Sequence, residues 1–138
     1  MKQLTLLVAI LLVSTNVSLA SEDEAIAVAE ATASSWLDLT DKENFSGSWN
    51  QASSLFKAAV TKSDWEQALT AARGPFGQLI SRELKSAKFY TTLPGAPDGE
   101  YVVLKFSSSF DEKKAAVETI TVMLDRDESW RVSGYFIK

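Results

Sequence analysis

The sequence predicts an α+β domain in which N-terminal helices pack on one face of a curved four-stranded antiparallel sheet. Between residues 21 and 73, apolar residues recur at three- and four-residue spacing, as in amphipathic helices. From residue 78 to residue 137 they alternate with polar residues at a period of two, as in strands with one buried face. A run of helices followed by a run of strands is typical of the α+β class.

The first twenty residues predict a secretory signal peptide that is not part of the fold. Met1-Lys2 is a short positive start, Leu4–Val13 is an apolar run, and Ser18-Leu19-Ala20 places small residues at a cleavage site. The alternative is an uncleaved membrane anchor, but a spanning helix needs about 20 apolar residues and polar residues soon follow this run. We therefore expect export to the periplasm or the extracellular space, and a single mature domain over residues 21–138.

Composition excludes several classes of function. The chain has no cysteine, no histidine and a formal net charge of −4. The absence of histidine and cysteine excludes a serine–histidine–acid triad and zinc bound by histidine or cysteine. We predict no metal and no cofactor. The basic residues form no stripe, which argues against a nucleic-acid partner. No basic amphipathic helix indicates binding to a membrane after signal cleavage.

Three helices are predicted ahead of the sheet. The first spans Ser21–Lys42, with acids in its first turn, where they complement the helix dipole. The second spans Ser48–Val60, with Ser48 as its N-cap. The third begins at Ser63, in a capping box that ends at Glu66, and Gly74-Pro75 ends it. The predicted buried positions are Ile26, Ala29, Ala33, Trp36, Leu37, Trp49, Ala52, Leu55, Phe56, Ala59, Trp65, Ala68, Leu69 and Ala72.

Four strands follow the helices, and turn residues such as Pro94-Gly95 and Asp98-Gly99 separate the first two. The strands are Gln78–Thr92, with a bulge or edge segment at Lys85–Lys88, then Glu100–Phe110, Ala115–Asp125 and Trp130–Ile137. The predicted inward-facing residues of the last three are Val102, Leu104, Phe106, Ile120, Val122, Leu124, Val132 and Phe136. Tyr101 and Tyr135 would then lie on the outer face, as a cross-strand pair or as an exposed strip for a partner.

Several segments together carry a family resemblance. They are Trp36-Leu37, Ser48-Trp49, Ala52-Ser53, Phe56-Lys57, Trp65 with Leu69, Arg73-Gly74-Pro75 with Gly77, Leu93–Val103, Phe106, Phe110, Glu118-Thr119 and Trp130–Ile137. These segments resemble the bacterial exported family known as domain of unknown function 4019. The resemblance implies a fold similar to the nuclear transport factor 2-like or cystatin-like class, whose helices and curved sheet often leave a cone-shaped pocket. It implies no reaction and no catalytic residues, and a fold alone does not determine function.

Three charged residues are the candidate ligand-binding residues. Glu118 falls on the inward face of its strand by alternation. The competing interpretation places it beyond the core at the strand start, where it pairs with Lys105, with Lys114 or with solvent. Arg82 also faces inward, where it either anchors an anion or pairs with an acid. Arg73 follows the third helix, where it either joins this site or caps the last carbonyls of the helix.

Three other features are interpreted as structural. Ser54-Leu-Phe-Lys57 matches the Ser-x-x-Lys pattern of penicillin-recognising enzymes, but their two further motifs are missing from the sequence. Asp125–Glu128 lacks the spacing and the glycine of a calcium loop, so a solvated hairpin turn is predicted. The four tryptophans indicate core packing, rather than a platform for a carbohydrate or an aromatic ligand.

The sequence therefore predicts an exported non-catalytic module that binds a small ligand or an envelope protein. The alternative is a small enzyme on the same scaffold that uses Glu, Arg and Tyr chemistry in the concave pocket. A pocket that holds Glu118 and Arg82 together would favour an enzyme or a ligand site. An interior filled by Trp36, Trp49 and Phe56 would instead favour a structural or surface-interaction protein. Weak self-association through the outer sheet face is a third hypothesis.

Overall fold

The computed structural model describes residues 17–138, and side chains from residue 21 onward, so most of the predicted signal peptide lies outside the described residues. Its helices are α1 (Val17–Asp41), α2 (Phe45–Asn50), α3 (Ser54–Ala59) and α4 (Lys62–Arg73), followed by a 3₁₀ turn at Gly74–Phe76. The strands are β1 (Leu79–Tyr90), β2 (Tyr101–Phe110), β3 (Lys113–Leu124) and β4 (Trp130–Ile137). They form one antiparallel sheet in the order β1-β2-β3-β4, which confirms the predicted α+β class. Within residues 17–138, no helix has both the length and the apolarity needed to cross a membrane.

The core lies between the helices and one face of the sheet. In α1, Ala29, Ala33 and Leu37 are fully buried, as predicted, and the small alanines let the helix lie close to the sheet. The other buried members of this core are Trp36, Trp65, Leu69, Val102, Leu104, Phe106, Ile120, Val122 and Val132. Trp49 and Phe56 are partly buried against them. Large side chains therefore fill the space between the layers.

The predicted second helix, Ser48–Val60, is in fact two short helices. Ser53 interrupts it in an extended conformation, with φ −63° and ψ 159°. The Ser53 N–H donates to the Val132 carbonyl of β4 at 2.8 Å, so it is not available to continue α2. The Ser53 side chain accepts a hydrogen bond from the Phe56 N–H and caps α3. Pairing with the sheet therefore overrides the helical pattern at this point.

The predicted helix starts are also wrong. The side chain of Asn44, rather than that of Ser48, caps α2, and Ser48 is fully buried inside the fold. Thr61 caps α4, two residues before the predicted capping box that begins at Ser63. Because α1 starts earlier than expected, the acids at residues 22–24 lie beyond its first turn. Several short polar side chains near each helix start could act as the N-cap, and the local backbone conformation determines which of them does.

The inward faces of β2 and β3 follow the prediction. Leu104 pairs with Ile120, and Phe106 pairs with Glu118, with no irregularity between these positions. A register shift in β1 after Leu84 lies at the predicted bulge segment. Unbroken alternation therefore fixes the face of each residue in the middle of the sheet.

A β-bulge reverses the predicted face of the end of β4. Val132 pairs with Val122, whereas Tyr135 pairs with Ile120, so β4 carries one extra residue between these pairs. The extra residue turns Tyr135 inward and Phe136 outward, where Phe136 is 59 % exposed. The predictions that Phe136 lies in the core and that Tyr135 lies on the outer face are both wrong for this reason.

Tyr101 is not part of an exposed strip. Its side chain is buried, and its hydroxyl donates to the carbonyl of Pro97 in the loop between β1 and β2. The loop therefore folds back over this end of the sheet. The outer-face partner strip of Tyr101 and Tyr135 that the sequence suggested does not exist in this structure.

Candidate functional site

The three predicted site residues come together in the structure. Arg82 Nε donates to Glu118 Oε1 at 2.7 Å, and Arg82 Nη2 donates to Oε2 at 3.3 Å. Arg73 Nη1 lies 3.9 Å from Glu118 Oε2. Glu118 is fully buried, so the competing interpretation, an ion pair with Lys105 or Lys114 at the strand start, is wrong.

Asp41, which the sequence analysis missed, completes the ion pairs. Arg82 Nη1 and Nη2 donate to the two Asp41 carboxylate oxygens at 2.8 and 2.9 Å, and Arg73 Nη2 donates to Oδ1 at 3.0 Å. Burial alone would raise the pKa of Asp41, but the hydrogen bonds and charges of the two arginines outweigh it and lower this pKa. Burial likewise opposes the charge of Arg82, yet its bonds to Asp41 and Glu118 raise its pKa. Both groups are therefore firmly ionised.

Hydroxyl groups occupy the remaining positions around the two acids. Ser108 Oγ donates to Glu118 Oε1, and the Tyr135 hydroxyl donates to Oε2. Arg73 Nη1 donates to Thr40 Oγ1 at 3.0 Å. Burial, and next the charge of Glu118, raises the pKa of Tyr135, so its phenol stays protonated. We call the following set the buried charge cluster: Thr40, Asp41, Arg73, Arg82, Ser108, Glu118 and Tyr135.

Six elements of the fold place the members of the buried charge cluster, because α1 supplies both Thr40 and Asp41. Arg82 on β1 lies opposite Ser108 on β2, and the bulge in β4 turns Tyr135 toward Glu118. Arg73 is the last residue of α4, and its guanidinium lies 4.6 Å from the centre of the Phe110 ring. Its hydrogen bonds run to side chains of the cluster, so the predicted capping of the α4 carbonyls is not realised.

The buried charge cluster is balanced and closed. It pairs two arginines with two carboxylates, and even its most exposed charged side chain, Asp41, is only 15 % exposed. In the described part of the chain, Arg73 Nε is the one buried side-chain nitrogen or oxygen without a hydrogen-bond partner. Removing one member of such a set leaves another charge unpaired in the interior, which is strongly destabilising. The geometry is therefore that of a structural link between the helices and the sheet.

An open groove lies elsewhere, between α1 and the β3–β4 hairpin. Its volume is about 830 Å³, and its lining includes Val28, Ser35, Asn50, Gln51, Trp130 and Arg131. A smaller groove of about 280 Å³ shares Val28 and Trp130 and continues toward Ser21. We call the two together the Trp130 cleft. The charged residues of the buried charge cluster do not line it.

Charged hydrogen bonds fix the wall of the Trp130 cleft. Arg131 donates to both oxygens of Asp127, at 2.6 and 2.8 Å, and to Asp125 at 3.3 Å. Asp125 accepts from the hydroxyl and the N–H of Ser54 on α3, at 2.6 and 2.9 Å. Burial would raise the pKa of Asp125, but these bonds and that from the Arg126 N–H lower it to about 2. Asp125 is only 8 % exposed, so the prediction of a fully solvated turn is wrong at this residue.

The family assignment follows from the match of a protein family of unknown function, DUF4019, to residues 32–135. The chain belongs to this family. The matched segment begins within α1 and ends within β4, so it contains every member of the buried charge cluster and most of the Trp130 cleft. No curated protein and no solved structure matches the chain.

Proposed function

We propose that this member of the DUF4019 family is an exported, non-catalytic module that binds a ligand in the Trp130 cleft. The observation that carries the proposal is the open groove of about 830 Å³ beside Trp130. Ligand sites are usually concave, measure about 300–1,000 Å³ and combine apolar walls with a few polar groups. This groove has that size, and its lining combines apolar side chains with a larger share of polar ones.

The side chains of the groove supply both kinds of contact. Trp130 is partly buried against the core, so only the remaining part of its ring system can contact a ligand, whereas Asn50 and Gln51 are exposed. Asn50 and Gln51 sit at the end of α2, next to the Ser53 interruption that ties the chain to β4. The break in the predicted helix thus places two amides on the rim of the cleft.

Export and a scaffold of the nuclear transport factor 2-like or cystatin-like class are parts of the same proposal. The charged start, apolar run and small-residue site of residues 1–20 support cleavage after Ala20. Helices followed by a four-stranded antiparallel sheet are compatible with that class. A bacterial envelope is the compartment that the family resemblance favours.

The alternative, an enzyme that uses Glu, Arg and Tyr chemistry, has less support. A general acid or base must reach the proton that it transfers. Glu118 is fully buried, and both of its oxygens already accept hydrogen bonds from the protein. The raised pKa of Tyr135, caused first by burial, keeps this phenol from acting as a base near neutral pH. The same groups serve better as structural partners.

The experiment is native mass spectrometry of the protein purified from the exported fraction. We expect a polypeptide mass that corresponds to residues 21–138 and a bound species that is lost in Trp130→Ala. Lys85→Ala, on the exposed side of β1 away from the cleft, is the matched control and should keep the ligand. Equal occupancy in both variants would contradict a site at Trp130, and a full-length mass would contradict signal cleavage.

A further inference from the structure

We infer that the Trp130 cleft takes an uncharged oligosaccharide, so that Trp130, although it also packs against the core, serves as the carbohydrate platform that the sequence did not favour. This inference rests on the proposed binding function and adds the chemical class of the ligand. Trp130 and Val28 line both grooves, so this indole stands where the two grooves meet. The C–H groups of a sugar ring pack well on the face of an aromatic ring, because that face carries partial negative charge. An aromatic residue in the middle of a cleft suits a chain of such rings.

The length of the cleft favours a chain over a single sugar. Its lining follows α1 from Ser21 in the smaller groove to Ser35 in the larger one. At the rise of an α-helix, these 14 steps cover about 21 Å. The cleft therefore has room for several rings in a row, with Trp130 near the middle.

Neutral hydrogen-bonding groups line the larger groove. The amides of Asn50 and Gln51 each offer donors and an acceptor, and the hydroxyls of Thr32 and Ser35 offer both as well. Among the described residues, neither amide side chain makes a hydrogen bond to the rest of the protein. Sugar hydroxyls are also both donors and acceptors, so they can satisfy such groups in many arrangements.

The charges of the cleft disfavour an anionic ligand. Among residues 21–138, Arg131 is the one charged residue that lines the larger groove, and Asp127 and Asp125 already neutralise it. In the smaller groove, Glu24 and Glu100 add two negative charges, against the one positive charge of the Ser21 α-amino group after signal cleavage. An acidic polymer would therefore meet no unpaired cation in the larger groove and a net negative charge in the smaller one.

An extended peptide is the less favoured occupant. Peptides of this kind are usually held through backbone hydrogen bonds to an exposed sheet edge. At the cleft, the Val132 carbonyl on the edge of β4 already accepts from the Ser53 N–H. The side chains, rather than the backbone, therefore have to hold the ligand.

The experiment is isothermal titration of the exported chain with neutral hexasaccharides of glucose, xylose and N-acetylglucosamine, each in its common linkages. An acidic uronate hexasaccharide and neutral hexapeptides complete the panel. We expect at least one neutral oligosaccharide to bind, with a Kd at least about tenfold weaker in Trp130→Ala, since aromatic contacts dominate such sites. We also expect clear weakening in the double variant Asn50→Ala/Gln51→Ala, whose side chains have no role in the core and which tests the site if Trp130→Ala misfolds. Lys85→Ala should bind as the parent chain does.

Two results would overturn the inference in distinguishable ways. If peptides bind with the same dependence on Trp130, Asn50 and Gln51, the cleft is a binding site but not one for oligosaccharides. If the native protein carries no species that depends on Trp130 and no member of the panel binds, both the inference and the proposed function are wrong. Preference for the uronate over every neutral sugar would overturn the argument from charge.

Discussion

The buried charge cluster and the Trp130 cleft differ in almost every respect. The cluster contains two arginines and two carboxylates whose hydrogen bonds are directed at one another, and Glu118 at its centre is fully buried. The cleft contains exposed amides, small side chains and a half-buried tryptophan, with a single arginine that is already paired. The charged residues that the sequence marks as candidates for a site stabilise the fold, and mostly uncharged residues line the open cleft.

This difference teaches that charge alone is a poor guide to a site. A charge inside a protein has to be paired, because an isolated buried charge is very unfavourable. The inward position of Glu118 is therefore enough to explain Arg82, without any ligand. The exposed amides of the open cleft have no comparable structural role, so the cleft is the better candidate for binding.

The largest expected effect is that of Arg82→Met. This change leaves Glu118 and Asp41 without their main cation, and breaking a buried pair in this way costs about 3–5 kcal/mol. Urea unfolding monitored by circular dichroism gives the change in the free energy of unfolding. Lys85→Met, at an exposed ion pair with Glu83 on the same strand, should change it by less than about 0.5 kcal/mol. Equal, small losses in both variants would show that the cluster does not stabilise the fold.

Tyr135→Phe should have the next largest effect. The change removes the hydroxyl that donates to Glu118 while the ring stays in place. Loss of one donor to a buried charged acceptor costs about 1–3 kcal/mol of unfolding free energy. Tyr90→Phe, on the same sheet but exposed, is the control and should be nearly neutral. If the two tyrosine variants are equally stable, the inward turn of Tyr135 at the bulge is wrong.

Acid should weaken the link between α3 and the wall of the cleft. The pKa of Asp125 is about 2 in the fold, against about 3.9 for an unfolded aspartate. Because the folded value is the lower one, ionised Asp125 contributes stability above about pH 4, and this contribution is lost as the pH falls toward 2. Asp125→Asn should therefore be less stable than the parent at pH 7, with a difference that narrows toward pH 2. Parallel stability curves for the two proteins over this range would argue against the role of Asp125.

Phe136→Ser should have the smallest effect. Phe136 is 59 % exposed on the outer face, so its replacement should change the free energy of unfolding by about 0.5 kcal/mol or less. Val132→Ala, at a fully buried position before the bulge, is the comparison and should cost clearly more. If Phe136→Ser lowers the free energy of unfolding as much as Val132→Ala does, Phe136 faces the core, as the simple alternation in the sequence predicted for β4.

The part of this fold that the sequence predicts well is the part with unbroken periodicity. The faces of β2 and β3, and the buried stripe of α1, follow directly from spacings of two and of three to four residues. The inward position of Glu118 follows from the same rule. Such patterns are local, so neither the partners of a residue nor their distances are needed to read them.

The errors occur where a tertiary contact overrides a local pattern. The Ser53 N–H bonds to Val132 and so breaks a helix that apolar spacing predicts as continuous. The bulge in β4 exchanges the faces of Tyr135 and Phe136. An isolated glycine inside a strand, here Gly134, is a recognised sign of a bulge and was the one available signal. No pattern in the sequence indicates the role of Asp41, because its contacts with Arg73 and Arg82 depend on where α1 ends relative to the sheet.

The most direct test of the account is isothermal titration of the tightest neutral oligosaccharide into Tyr135→Phe and into Asn50→Ala/Gln51→Ala, at a temperature at which both variants are folded. The account predicts that Tyr135→Phe, although less stable, binds with the affinity of the parent chain, and that the double variant binds several-fold more weakly. Loss of binding in Tyr135→Phe with full binding in the double variant would contradict it, since the buried charge cluster would then be the ligand site.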